Sequence, residues 1–140
     1  GAINEVIITP RRIASKRLGV QRGTTYDRYL SERFAKHVAI ERFDTAAATY
    51  QALYEGRVDL VLDDAVSGYF GFIDTANGAG FERVGNAVVA PKFFGKGQGI
   101  ALRKGEEALK VRLNRALVAI LDNGVYARIE KQYFKQFSVY

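Results

Sequence analysis

The sequence predicts an α/β fold with a parallel-rich sheet flanked by helices, and three observations carry that expectation. β-prone runs alternate with helical segments from Lys16 onward, the order that builds a parallel sheet through crossover helices. Arg57-Val58-Asp59-Leu60-Val61-Leu62-Asp63-Asp64 holds an apolar run of the kind found in strands buried on both faces. At 140 residues, with 48% apolar and 26% charged residues, the chain has the size and balance of one globular domain with a real core.

Ile3 to Thr9 is β-prone and Pro10 ends it. Lys16-Arg17-Leu18-Gly19-Val20 is a second strand, broken by Gly23-Thr24-Thr25, after which Tyr26, Tyr29, Leu30 and Phe34 recur at helical spacing to about Lys36. Val38 to Phe43 is a strand, Asp44-Thr45 a cap, and Ala46 to Tyr54 a helix closed by Glu55-Gly56. The strand of residues 57–64 is expected to be central and parallel, and a helix follows from Ala65 to about Thr75. Phe81 to Val84 and Ile100 to Arg103 are expected as short strands, with the glycine-rich Phe93-Phe94-Gly95-Lys96-Gly97-Gln98-Gly99 between them. Helices from Glu106 to Asp122 and from Tyr126 to Phe134 finish the chain, separated by Asn123-Gly124.

Composition removes several functions. There is no Cys and one His, so disulfides, thiolate metal sites and clustered histidine sites are unavailable. No apolar run reaches the length of a membrane span. The first residues lack the pattern of a secretory leader, and a leader removed before Gly1 is compatible with that. A net charge of +6 would suit a nucleic-acid partner, but the basic residues are scattered and interleaved with Asp and Glu, so no nucleic acid is expected. The stretch Gly95 to Gly99 lacks the P-loop pattern and precedes a strand rather than a helix. His37 has no evident Ser or Cys partner for acyl transfer. Tyr126, Tyr133, Phe134, Phe137 and Tyr140 are expected to be packing residues.

Two sites remain, both beyond carboxyl ends of strands, where small ligands bind in open α/β sheets. At Gln21-Arg22-Gly23-Thr24-Thr25 a strand turns into a helix, whose free N–H groups attract an anion such as a carboxylate. Gly23 lets the backbone approach closely, and Thr24 and Thr25 add hydroxyls. The alternative is that Thr24 or Thr25 only caps the helix. At Asp63-Asp64 a carboxylate can hold an ammonium group; the alternative there is a helix cap needing one of the two, with the other free to face the cleft. An anion site and a carboxylate at neighbouring strand ends match the two charges of a free α-amino acid.

Three segments in order resemble landmarks of one family: residues 16–25, Ala52-Leu53-Tyr54-Glu55-Gly56-Arg57-Val58-Asp59 with Asp63-Asp64, and Phe93 to Lys104. They are similar to the polar amino-acid-binding proteins of ABC importers, in particular the lysine/arginine/ornithine, histidine and opine binders. The ending, Asn123-Gly124-Val125-Tyr126 through Val139-Tyr140, is similar to theirs as well. The resemblance covers residues 16–140 and implies a type II periplasmic-binding-protein-like lobe, with the first lobe largely missing. It implies residues 1–14 as a connector from that first lobe, 15–104 as the ligand-binding second lobe, and 105–140 as helices that would pack on the first lobe.

In the family, the position matching Thr25 binds the ligand α-carboxylate through its backbone N–H. Thr24 falls on a neighbouring hydroxyl contact, Asp64 on the carboxylate that holds the α-ammonium, and Gln21 and Tyr26 on positions that line the cleft. Arg22 stands where the family has a polar residue that need not be basic. The implied function is capture of a polar or cationic amino acid (arginine, lysine, ornithine, histidine or an opine) in the periplasm for an ABC permease. No catalytic residue, metal or cofactor is expected. The implied partners are that ligand and permease, together with a domain-swapped or homo-oligomeric assembly of the chain. A dehydratase-like enzyme on the same scaffold and a ligand-sensing interaction module are the alternatives.

Overall fold

A computed structural model of the chain describes residues 9–134, so the β-prone run from Ile3 lies outside them up to Thr9, as do Phe137 and Tyr140. The chain divides into two compact units, Gly1–Lys96 and Gly97–Tyr140.

The first unit is built on a three-stranded parallel sheet of order β2-β1-β3, with β1 at Arg17–Gln21, β2 at Ala39–Phe43 and β3 at Leu60–Val61. Helix α1, Pro10–Ile13, precedes it; α2, Thr25–Arg33, connects β1 to β2, and α3, Ala46–Tyr54, connects β2 to β3. The chain moves outward from β1 to β2 and then returns across β1 to β3. Right-handed crossovers in opposite directions place α2 and α3 on opposite faces of the sheet. Alternation along β1 then divides the core. Leu18 and Val20 pack in one cluster with Ile13, Leu30, Phe34 and Val38. Gly19 faces the other way, where an added Cβ would lie 3.0 Å from Val58, 3.2 Å from Thr49 and 3.3 Å from Val61. A hydrogen side chain is therefore what lets α3 lie against the central strand.

Two expectations about the third strand need correction. The paired segment is two residues long, although Asp59 N–H donates to the Arg17 carbonyl at 2.8 Å and Leu62 N–H to the Gly19 carbonyl at 3.2 Å. Upstream, Arg57 and Val58 give their N–H groups to the Ala52 carbonyl at the end of α3, which removes them from the ladder. Among the described residues β3 is also an edge strand, and β1 is central; Leu60, Val61 and Leu62 are only half-buried.

An ion pair fixes the amino end of this pairing. The Arg17 guanidinium reaches both oxygens of Asp59, at 3.0 and 3.1 Å, and also the Gly56 carbonyl, while Asp59 accepts the Arg17 N–H at 2.8 Å.

Beyond β3, α4 (Ala65–Gly68) runs into a π-helical segment, Tyr69–Ile73, and a single 3-10 turn, Ala76–Gly78, so the helix expected over 65–75 forms with a widened second half. Residues 81–84 and 100–103 are not strands. The described residues place no strand alongside either; Phe81 instead packs on Phe72 at 5.0 Å between ring centroids, and Ile100 is 59% exposed. Inside the glycine-rich region lies a short helix, α5, Pro91–Phe94. Pro at its first turn suits helix initiation, and Phe93 and Phe94 pack on Tyr29 of α2 at 5.3 and 5.4 Å.

In the second unit, α6 (Glu107–Asp122) and α7 (Val125–Tyr133) form a helical hairpin around Gly124, φ +76°. Tyr133, expected to pack, is 61% exposed. No helix among the described residues is long and apolar enough to cross a membrane.

Two outcomes are expected. Gly19→Ala forces side chains off α3 or off the sheet and lowers stability by about 1–3 kcal/mol, read as a drop in the urea midpoint. Asp59 is held at a pKa of about 2, against an ordinary 3.8, by its hydrogen bonds from the Arg17 side chain and backbone. Its contribution is present above the ordinary value and is lost as pH falls from there through about 2. Asp59→Asn is expected to lower stability at neutral pH and to flatten the stability profile across that acid window; an unchanged profile contradicts this role.

Candidate functional site

In a sheet of order β2-β1-β3 the chain reverses direction between β1 and β3, and the crevice outside the carboxyl ends of those two strands is where such sheets bind ligands. Register sets the end of β3 two residues short of the end of β1, with Leu18 opposite Leu60 and Gly19 opposite Val61. Gln21 to Tyr26 therefore emerges beside Leu62 to Asp64. Electrostatics agrees: the Tyr26 phenol is pushed above its ordinary pKa first by burial and then by the charges of Asp64 and Asp63.

Each expected residue has a definite place, though not all of them face this crevice. Thr24 is the N-cap of α2. Its hydroxyl accepts the Asp27 N–H at 3.2 Å and donates to the Gln21 carbonyl at 2.8 Å, so the capping alternative holds for this side chain. Thr25 is the first helical residue and is exposed. Asp27 and Arg28 direct their N–H groups to Thr24, whereas no acceptor among the described residues meets the N–H of Thr25 or of Tyr26. These two amides, at the positive end of the α2 dipole, are available to an anion. Gly23, φ +73°, makes the turn that aims them outward. Gln21 turns away toward β2, its amide 3.4 Å from the Asp44 carbonyl. Arg22 pairs with Asp44 at 3.1 Å and reaches the Arg42 carbonyl at 3.3 Å, so it ties the ends of β1 and β2 together.

Asp64 is the N-cap of α4, but both hydrogen bonds, from Val66 and Ser67 N–H at 3.1 and 2.9 Å, fall on Oδ1. Its Oδ2 meets no donor among the described residues. Asp63 takes the Tyr50 hydroxyl on Oδ2 and the Asp64 N–H on Oδ1. The sequence left open which Asp caps and which faces the cleft. Asp64 does the capping and keeps one oxygen free, and Asp63 is engaged on both.

Reasoning from sequence missed two features. Tyr50 lies inside the helix expected over Ala46 to Tyr54, and no local pattern there marks its hydroxyl as a donor. Asp27 at the third helical position was legible as half of a capping box. It accepts the Gly23 N–H at 3.0 Å, the Arg42 guanidinium at 2.8 Å and the Ser31 hydroxyl at 3.2 Å. Burial works to raise its pKa, yet these bonds outweigh that and hold its carboxyl below the usual value. An open depression of about 360 Å³ beside α2 is lined by Gly23, Thr24, Thr25, Asp27, Arg28, Ser31 and Arg42. It excludes Tyr26 and Asp64, and its charged walls, Arg42 and Asp27, are already paired with each other. The β1/β3 crevice, not this depression, combines open amides with an open carboxylate oxygen. Among the described residues no group of three His, Cys, Asp or Glu side chains is placed to hold a metal ion.

No family model matches the chain. It is 39% identical over 129 residues to an L-arginine-binding protein of Pseudomonas aeruginosa, covering 91% of this chain and 49% of that protein. It is 33% identical over 129 residues to the lysine/arginine/ornithine-binding periplasmic protein of Escherichia coli, with the same coverage. Among solved structures, an ancestral arginine-binding protein bound to arginine superposes with a TM-score of 0.60 at 32% identity, over 94% of this chain and 56% of that one. The chain thus spans about half the length of the relatives it matches.

Thr24→Val keeps the shape of the cap and removes its hydroxyl. It is expected to cost about 1 kcal/mol of stability, measured by chemical denaturation; a loss below a few tenths would contradict the capping role.

The sheet order and the sequence similarity along nine-tenths of the chain agree, and the chain is similar to one half of proteins named as arginine-binding and lysine/arginine/ornithine-binding.

Proposed function

We propose that this chain supplies one side of the binding site of a solute-binding protein, capturing a polar or cationic amino acid in the periplasm for delivery to an ABC permease. The Thr25 and Tyr26 N–H groups receive the α-carboxylate, and Asp64 Oδ2 receives the α-ammonium. One observation supports the reading: β1 and β3 are adjacent parallel strands, and the two amides follow the first while the carboxylate oxygen left over from the Asp64 cap follows the second. Tyr26 lies beside both carboxylates and offers a ring edge to the ligand between the two charged ends. Thr24 acts by fixing the helix start. Gln21, turned toward Asp44, reaches a ligand only by giving up that contact.

Relatives named for arginine, and for lysine, arginine and ornithine, favour a cationic ligand. Capture without chemistry fits the arrangement. Two charge-assisted contacts, set against the freedom lost on binding, leave at most about 2 kcal/mol, a dissociation constant on the order of 30 mM for this chain by itself.

The test is amide chemical-shift mapping during an L-arginine titration. The expected response is at Thr25, Tyr26 and residues 64–67. Asp64→Asn preserves the cap and removes the charge, and should weaken binding by about tenfold or more. Absence of any shift up to about 300 mM arginine, some ten times the dissociation constant anticipated above, contradicts the reading, as does unchanged affinity in Asp64→Asn.

A further inference from the structure

We propose that Tyr50 and Asp63 are positioning residues: the Tyr50 hydroxyl, donated from α3, holds Asp63, and Asp63 holds the Asp64 backbone so that Asp64 Oδ2 faces the crevice. The inference deepens the proposed function and rests on it.

The chain of contacts is continuous and crosses three elements. Tyr50 is buried on α3, and its ring stacks on Phe72 of the π-helical segment, with centroids 5.4 Å apart and planes 11° apart. The hydroxyl donates to Asp63 Oδ2, and Asp63 Oδ1 accepts the Asp64 N–H at 2.8 Å. Asp64 then spends Oδ1 on the first turn of α4. Each atom has one task, and only Asp64 Oδ2 remains. Three residues, 62–64, separate β3 from α4, so little slack exists to absorb a loose Asp63.

The ring also has a fitted seat. A Cβ at Gly71 would lie 3.4 Å from Tyr50 Cε2, and one at Gly68 would lie 3.8 Å from the hydroxyl. The π segment Tyr69–Ile73 widens the helix, a distortion common at functional sites. The phenol is kept neutral well above physiological pH, first by burial and then by its bond to Asp63, so it is a permanent donor. Asp63, with both oxygens occupied, is the brace and not the ammonium contact.

The experiment pairs the arginine titration with amide hydrogen exchange on the ligand-free chain. In Tyr50→Phe, exchange at Asp64, Val66 and Ser67 should speed up by about tenfold, while the Asp27 amide, capped by Thr24, keeps its protection. Arginine affinity should fall about three- to tenfold, the loss of about one hydrogen bond's orientation. Asp63→Ala should reproduce both effects. Asp63→Asn should rescue them to within about threefold, because its amide oxygen still accepts the Asp64 N–H and its NH₂ can donate to Tyr50. The Asp63 pair decides the matter should Tyr50→Phe unfold.

Unchanged exchange and affinity in both Tyr50→Phe and Asp63→Ala, with a normal response of the unsubstituted chain to arginine, overturns the brace and leaves the proposed function standing. Failure of Asp63→Asn to rescue overturns it too, because the charge of Asp63 would then be acting directly. No arginine response in the unsubstituted chain overturns both.

Discussion

Gly19 and its neighbours run between two parallel partners, and everything else in the first unit is arranged around that fact. β1 gives its hydrogen-bonding groups to β2 on one side and β3 on the other, and its side chains to opposite layers. Leu18 and Val20 enter the α2 cluster, and the bare face of Gly19 admits Thr49, Val58 and Val61. A central strand that reads in both directions fixes the registers of its neighbours, since a one-residue slip would exchange its two faces. The Arg17–Asp59 fork then locks β3 at its amino end. The carboxyl ends of β1 and β3 follow as a consequence, side by side.

The polarity of the crevice follows from what each element leaves unsatisfied on leaving the sheet. β1 passes into a helix, whose first amides have no intrahelical acceptor. β3 passes into a helix capped by a carboxylate, which needs only one of its oxygens for the cap. In the proposed reading the first offers a place for negative charge and the second a place for positive charge. The neighbouring ion pairs stay out of the way. Asp27 is consumed by Gly23, Arg42 and Ser31, and Arg22 by Asp44. Aromatic contacts from Phe93 and Phe94 onto α2 hold the helix from which the amides project.

Local patterning made much of this readable from sequence. β1, β2, α2 and α3 lie within a few residues of their expected places, because each has a cap or turn residue at its border: Thr24, Thr45 and Glu55-Gly56. What failed was non-local. The apolar run after Arg57 looked like a central strand, but centrality depends on which partner β1 chooses. The apolar pairs at Phe81 and Ile100 looked like strands, yet a strand requires a neighbour, and none is alongside among the described residues. At the site, charge and turn chemistry pointed to Thr24, Thr25 and the Asp63-Asp64 pair, and only the family resemblance singled out Asp64. The Tyr50 hydroxyl and the inward turn of Asp63 depend on contacts 13 residues apart in sequence, which no local pattern encodes. Gln21 faced the expected end of the sheet, but its side chain leans toward β2.

The central claim is that two half-sites of opposite polarity read the two ends of one small zwitterion. Splitting that zwitterion tests it most directly. Amide shifts of this chain should be followed with propionate, ethylamine and L-alanine in turn. The account predicts that propionate moves Thr25 and Tyr26, that ethylamine moves residues 64–67, and that L-alanine moves both sets with one common affinity. L-alanine that perturbs one set alone, or the two sets with separate affinities, would contradict it.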